Sequence, residues 1–179
     1  IQAPERDVDG HPIPCSVNNN CSLHLSLEFN QRYSGNRSTS ILSSKSVPGL
    51  IIATGVVGKS LDGHRGVYVS NDTGLTWRQV LNDSYLFNMG DHGGILTAIE
   101  FSKLNGETRY ILYSTDEGEK WQQAKFHSEN IRLYGLTTEP GENTTMFIVF
   151  GSLPEDQQWT IFKLELRNAF KYNCSKVRK

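Results

Sequence analysis

The sequence predicts an all-β chain made of repeated four-stranded units. Its apolar runs, such as 50–53 and 146–150, have strand length and are separated by Gly, Asn, Asp and Ser. The segment Ser70-Asn71-Asp72-Thr73-Gly74-Leu75-Thr76-Trp77 recurs 44 residues later as Ser114-Thr115-Asp116-Glu117-Gly118-Glu119-Lys120-Trp121. Each copy lies between two strand-like runs, 66–69 and 77–81 in the first case, 109–113 and 121–126 in the second.

The recurring segment reads as a hairpin turn. Its Asp accepts neighbouring backbone N–H groups, its Gly takes a positive φ, and its Trp packs back between sheets. Upstream runs repeat as well, 48–54 before the first turn and 93–100 before the second. Strands are therefore expected at 22–29, 49–54, 66–70 and 76–81 in a first unit (22–81), and at 85–89, 93–100, 109–114 and 121–126 in a second (85–126). A third unit (131–166) takes strands at 131–136, 145–151 and 159–166. Its turn motif is read as decayed to Gly151-Ser152-Leu153-Pro154-Glu155-Asp156, and it has no fourth strand. Residues 101–106 read as a loop. Four strands at this period make a β-propeller blade. A propeller needs at least about four blades, so the chain is expected to be a β-propeller fragment, with an outer strand for the last blade supplied from elsewhere.

Eighteen Lys and Arg stand against 19 Asp and Glu, a formal charge of −1. No basic field is available to neutralise phosphates, which argues against nucleic acid as a partner. No stretch approaches the roughly 18 consecutive apolar residues of a membrane-spanning helix. The chain opens at Ile1 and closes on Ser175-Lys176-Val177-Arg178-Lys179, which predicts a piece of a longer polypeptide.

Thirteen Asn, with about one residue in six being Ser or Thr, would give about two Asn-x-Ser/Thr triplets by chance. There are six, at Asn20, Asn36, Asn71, Asn82, Asn143 and Asn173, and the excess predicts a secretory chain. Asn36, Asn82 and Asn143 fall in expected loops and are the favoured glycan acceptors; Asn20, beside Cys21, is weaker. Asn71 lies inside a packed turn and Asn173 abuts Cys174, which disfavours both.

Cys15 and Cys21 bracket a short polar loop that a disulfide would close, worth about 2 kcal/mol of loop entropy. A zinc reading competes, because His11, Cys15, Cys21 and His24 are four possible ligands within fourteen residues. Their spacing fits no common Cys2His2 pattern, and the disulfide is preferred. Cys174 is left odd, so its partner is expected outside the chain.

The repeated turn matches the Asp-box, S-x-D-x-G-x-x-W, carried by Ser70, Asp72, Gly74 and Trp77 and by Ser114, Asp116, Gly118 and Trp121. Sialidases carry such boxes, and so do non-enzymatic propellers. Sialidase chemistry needs Arg residues converging on a carboxylate together with a Tyr/Glu nucleophile pair. The nine Arg here are scattered. Ala53-Thr54-Gly55-Val56-Val57-Gly58-Lys59-Ser60 is one residue from a phosphate-binding loop, yet residues 61–66 after it are turn-rich and lead to a strand, not the required helix. Asp91-His92 could be read as an acid–imidazole pair, but a tight turn between the first two strands of a blade is preferred. Tyr68, Trp77, Tyr110, Trp121 and Trp159 fall on equivalent strands and are expected in the core between blades.

Several strings go beyond a generic propeller. Cys21-Ser22-Leu23-His24-Leu25, Pro48-Gly49-Leu50-Ile51-Ile52-Ala53-Thr54-Gly55, Gly90-Asp91-His92-Gly93-Gly94-Ile95, Tyr113-Ser114-Thr115-Asp116-Glu117-Gly118-Glu119-Lys120-Trp121 and Gly135-Leu136-Thr137-Thr138-Glu139-Pro140-Gly141 resemble the last third of the luminal propeller of sortilin-family sorting receptors. The likeness runs nearly end to end. It implies a ten-bladed propeller whose tunnel captures peptide, propeptide or protein ligands. It further implies a single-pass receptor moving between Golgi, endosomes and the cell surface, with no enzymatic activity, cofactor or metal. On this likeness residues 1–173 are the C-terminal blades and 174–179 begin a cysteine-rich module, to which Cys174 would bond. Cys15–Cys21 is likewise similar to a family disulfide. The family's cytosolic tail, which binds trafficking adaptors, has no counterpart in these residues.

Ligand contacts in the family lie mainly on earlier blades. Candidates in this segment are the innermost strands and the turns leaving them: Tyr85, Phe87, Asn88, Asp91 and His92 in one blade, Arg132 and Tyr134 in the next. An exposed inner edge could take an extended peptide by strand addition. Release in acid is expected, the five His offering a titration route. The alternatives are a secreted Asp-box propeller acting as a sialidase-like glycosidase or carbohydrate-binding protein, and a purely structural adhesion propeller.

Overall fold

A computed structural model describes residues 1–25, 40–63, 65–101, 107–155 and 158–170. Its strands are β1 (Ser22–Leu25), β2 (Ile41–Ser43), β3 (Ile51–Gly58), β4 (Arg65–Ser70), β5 (Arg78–Asn82), β6 (Tyr85–Gly90), β7 (Ile95–Glu100), β8 (Glu107–Thr108), β9 (Tyr110–Ser114), β10 (Gln122–Lys125), β11 (Ile131–Thr138), β12 (Met146–Ser152) and β13 (Trp159–Glu165). Three antiparallel sheets result. The first runs β1-β3-β4-β5 with β2 also on β3, the second β6-β7-β9-β10, the third β8-β11-β12-β13. Among the described residues no helix is long and apolar enough to cross a membrane.

The strand periods reflect how many faces are covered. β3 reads Ile-Ile-Ala-Thr-Gly-Val-Val-Gly and is buried through its middle on both faces, hence the nearly continuous apolar run. β13 is covered on one face only. It alternates exposed Trp159, Ile161, Lys163 and Glu165 with half-buried Thr160, Phe162 and Leu164.

The sheets stack face to face in chain order, as propeller blades do. Leu50, Ile52, Val67, Val69 and Val80 of the first meet Phe87, Met89, Leu96 and Ala98 of the second in one core. Leu86, Ile95, Ile99 and Ile111 of the second meet Ile131, Leu133, Leu136, Phe147 and Val149 of the third in another. At about 25 cal/mol per Å² of apolar surface removed from water, these two interfaces are the main source of cohesion between the sheets.

The first sheet holds an unexpected feature. Leu25 faces Gly55 and Ile41 faces Ala53 on the same edge of β3, and the Thr54 N–H donates to the Ser40 carbonyl at 2.8 Å between them. β1 and β2 are thus two pieces of one strand, which the chain leaves after Leu25 and rejoins at Ser40. A single strand at 22–29 was expected; residues 26–29 lie outside the described residues.

The third sheet corrects a second expectation. Gly151 and Ser152 end β12, and the residues after them connect the second strand of the blade to the third. An Asp-box joins the third strand to the fourth, so the decayed motif was placed one connection too early. The corresponding place after β13 is a 3-10 turn, Arg167–Ala169, whose flanking Leu166 and Phe170 pack on the second core. The fourth member of this sheet is β8, which joins the opposite edge, against β11. Among the described residues β13 has no outer partner. Phe101 lies outside any strand, and 102–106 lie outside the described residues.

The stacking is intolerant at Gly90, where a Cβ would lie 2.6 Å from Phe147 Cζ and 2.7 Å from the Thr144 carbonyl oxygen. Because one of those atoms is backbone, Gly90→Ala is expected to destabilise the folded chain by about 1–3 kcal/mol. A thermal melt of the variant coinciding with wild type would contradict this.

Candidate functional site

Both Asp-boxes close in the same way. In the first, the Ser70 hydroxyl donates to Asp72 Oδ1 at 2.8 Å and accepts the Gly74 N–H at 2.8 Å. Asp72 in turn accepts the Thr76 N–H at 2.9 Å and the Thr76 hydroxyl at 2.6 Å. Thr73 and Gly74 take φ values of 62° and 88°, and the Trp77 indole N–H donates to the Gly74 carbonyl at 3.0 Å. The second box repeats the Ser114–Asp116 and Ser114–Gly118 bonds, both 2.8 Å, and the Lys120 N–H reaches Asp116 at 2.9 Å.

The chemistry of the two carboxyls differs for a visible reason. The Thr76 hydroxyl and N–H, then the Ser70 hydroxyl, hold Asp72 down at about 2. At Asp116 burial pushes upward, but the Lys120 N–H, the Ser114 hydroxyl and the Lys120 charge outweigh it and leave the carboxyl below its usual range. Lys120 stands where the first box has Thr76, so one hydroxyl donor is missing.

The boxes also tie adjacent sheets together. The Arg78 guanidinium donates to the carbonyls of Glu117 at 3.0 Å and Gly118 at 3.3 Å, and pairs with the Glu119 carboxylate at 3.3 Å. Asn71 Nδ2 donates to the Glu117 carboxylate at 3.3 Å. Val80, the extra residue of a bulge in β5, sits 3.1 Å from where a Gly118 Cβ would be, and the φ of 82° at Gly118 favours glycine there. Nothing in the local sequence signals these links, which span about 40 residues.

At the same end of the stack, the turn between β6 and β7 joins all three sheets. Asp91, His92 and Gly93 have φ values of 49°, 57° and 88°. The Asp91 N–H donates to the Thr144 carbonyl at 2.9 Å and the His92 N–H to the Glu142 carbonyl at 2.6 Å, both in the third sheet's 139–145 turn. On the other side His92 Nδ1 lies 3.2 Å from the Ser46 hydroxyl, and a Cβ on Gly93 would meet Ser44 Oγ at 3.0 Å. Ser44 also donates to the Glu142 carboxylate at 3.3 Å. Asp91 and His92 therefore sit in a structural turn, as preferred from the sequence.

The remaining ligand candidates scatter. Phe87 is 2% exposed in the core between the first two sheets, which removes it as a contact: both faces of β6 lie inside the stack. Asn88 accepts the Met89 N–H on Oδ1 at 2.8 Å and donates to the Leu136 carbonyl at 3.4 Å, so its amide is engaged between β6 and β11. Tyr85 is half-buried, and that burial, with Glu100 and Asp83 nearby, pushes its phenol up. Arg132 is exposed and pairs with Glu107 at 3.7 Å. Tyr134 occupies a bulge in β11, its ring 4.6 Å from that of Trp159 and its hydroxyl 3.1 Å from Ser152 Oγ. Trp159 is 73% exposed and does not join the core, because it lies on the face of the third sheet that no other sheet covers among the described residues. Tyr68 and Trp77 are buried as expected.

The cysteine and look-alike motifs resolve individually. Cys15 and Cys21 are bonded to each other, Cα atoms 5.1 Å apart, which takes both sulfurs from any zinc set with His11 and His24. The phosphate-loop look-alike runs along β3 into a turn and then β4, with no helix. Arg6, Arg78, Arg109, Arg132 and Arg167 engage separate partners on different elements and do not converge as a sialidase site requires. Asn20, Asn71 and Asn143 are in turns, and Asn82 is exposed as the last residue of β5. Asn36, Asn173 and Cys174 lie outside the described residues.

Comparison with known proteins bears on this assembly of blades, boxes and turns. Residues 1–136 match the Sortilin-Vps10 family profile, described as sortilin, neurotensin receptor 3. The chain belongs to the sortilin–Vps10 family. It is 41% identical over 177 residues to the human sortilin-related receptor, covering 98% of this chain and 8% of that receptor. The human VPS10 domain-containing receptor SorCS3 is 35% identical over 178 residues, covering 98% of this chain and 14% of its own. For human SorCS2 the figures are 31% over 177 residues, 97% and 15%. The chain thus spans a small part of the family members it matches.

The Asp-boxes set a pH expectation with a definite sign. Asp72 has its folded value depressed from 3.8 to about 2, so its stabilising effect is complete above the unfolded value and is lost as pH falls towards about 2. The stability gap between wild type and Asp72→Asn should therefore be constant from about pH 7.4 to 5.5 and close only below about pH 4. Chemical denaturation across that range checks it; a gap that shrinks already near pH 6 would show that the box senses mild acid.

Proposed function

We propose that this chain is a ligand-capturing segment of a sorting receptor's luminal propeller. It takes up peptide, propeptide or protein cargo at near-neutral pH and releases it in acidic endosomes. The receptor is membrane-anchored, with this segment on the luminal side, and moves between Golgi, endosomes and the cell surface; adaptors act on a cytosolic part outside these residues. The observation that carries the reading is 41% identity along 98% of the chain to a protein named as a sortilin-related receptor. A non-enzymatic role fits Arg6, Arg78, Arg109, Arg132 and Arg167, which are held apart by separate partners.

Acid release needs groups that titrate between neutral and endosomal pH, and a carboxyl held at about 2 does not qualify. Histidine is the side chain suited to that range. His92, against Ser46 of the first sheet, and His127, its ring 5.2 Å from that of Phe162, both stand where sheets meet.

The test is a pull-down of a propeptide pool with the complete luminal receptor at about pH 7.4, followed by a wash at about pH 5.5 and mass spectrometry of the eluate. Saturable capture that is lost in acid is expected. Equal retention at both pH values would end the release mechanism, and hydrolysis of an activated sialoside would favour the glycosidase alternative.

A further inference from the structure

The outer strands of the first two sheets, β5 and β10, each leave one edge without a strand neighbour among the described residues. Such an edge invites pairing with another chain, and short length, charge and bulges are the usual guards. β10 is four residues long and ends on exposed Lys125. β5 has its bulge at Val80 alone, because the Arg78 guanidinium is drawn onto Glu117 and Gly118 of the second sheet. In an antiparallel ladder, alternate residues turn both backbone groups to the same side. The Asp83 N–H donates to the Arg65 carbonyl at 2.9 Å and Leu81 pairs with Val67, so Asn82 between them turns its N–H and C=O outward.

Asn82 also opens the triplet Asn82-Asp83-Ser84. A glycan bonds to Nδ2 and is bulky, so that atom must face water. Asn20, Asn71, Asn82 and Asn143 are the described triplet asparagines, and their amides differ. At exposed Asn82 the Gln79 amide donates to Oδ1 at 2.8 Å, which holds the carbonyl half and leaves Nδ2 without a partner among the described residues. At Asn71 it is Nδ2 that is engaged, on the Glu117 carboxylate of the next sheet. At Asn143, Nδ2 packs 3.2 Å from where a Gly141 Cβ would be, in the turn whose carbonyls hold Asp91 and His92. Asn20 precedes Cys21, whose sulfur is bonded to Cys15.

We propose that Asn82 carries an N-linked oligosaccharide, which covers the outer edge of β5 and keeps a second copy of the chain from pairing with it. The proposal rests on the luminal placement of the chain. The donor is a lipid-diphosphate-linked oligosaccharide. A bond forms between Nδ2 and the anomeric carbon, the anomeric C–O bond breaks, the lipid diphosphate leaves, and Nδ2 gives up one proton to solvent. Ser84, whose hydroxyl completes the triplet, is 4% exposed, which places the transfer before this part of the chain folds. The attached sugar is bulky and hydrated, and it stands beside the outward N–H and C=O of the residue that bears it.

The complete luminal receptor secreted from cultured animal cells tests this. Amidase release of glycans in heavy-oxygen water, followed by peptide mass spectrometry, marks each occupied Asn as a heavy Asp. Asn82 is expected to be marked in most molecules, more than Asn20, Asn71 or Asn143. Sedimentation of Asn82→Gln at neutral pH is expected to show self-association about tenfold tighter than wild type, the worth of about one edge hydrogen bond. Should the variant fail to fold, endoglycosidase trimming of the folded wild-type receptor to single sugars is expected to give the same shift. An unmarked Asn82 beside other marked triplets overturns the site and leaves the luminal reading standing. No marked triplet anywhere in the receptor overturns both. A marked Asn82 with self-association unchanged by substitution or trimming overturns the shielding.

Discussion

The N–H groups of Asp91 and His92 point away from their own turn, which runs through three successive left-handed residues and offers them no acceptor. Such a backbone costs on the order of 1 kcal/mol per non-glycine residue and persists only where its surroundings over-determine it. Here the surroundings are two other sheets. Thr144 and Glu142 supply the carbonyls, and the space above Gly93 is closed by Ser44 and Val47. The placement of β6 and β7 depends on that clamp, and with it the division of their apolar side chains. Phe87, Met89 and Leu96 go to one core, Leu86, Ile95 and Ile99 to the other.

The Asp-boxes extend the same logic towards the outer strands. Each box settles its own backbone with a serine and an aspartate, then presents carbonyls that a neighbour can use, as Arg78 does with Glu117 and Gly118. At the opposite end the link is aromatic: the Phe126 ring lies 5.6 Å from that of Phe162 across the boundary between the second and third sheets. Polar contacts at one end and ring contacts at the other fix the angle between sheets, while the apolar middle supplies most of the cohesion.

Much of this was legible in the sequence, and the failures have physical causes. Strand periods, the two boxes and the turn at Asp91 are local patterns, and eleven of the thirteen strands fall where such patterns place them. β2 and β8 do not, because each is too short to carry a period and exists only through a partner far along the chain. Phe87 was misplaced because alternation presumes one wet face; the apolar neighbours Leu86 and Phe87 together signal burial on both. The false box at 151–156 arose because Gly, Ser, Pro and Asp punctuate any turn.

The divided strand of the first sheet has a further consequence. Leu25 and Ser40 occupy successive places on the edge of β3, so the ladder is complete without the 14 residues between them. Their number is free of the sheet's geometry. For connections between fixed ends in general, doubling the length costs only about 0.6 kcal/mol of closure entropy. Sequence at this point can therefore change in length among relatives while Leu25 and Ser40 keep their places on β3. That makes it a place where members of a receptor family can diverge on the innermost strand while the propeller around it stays the same.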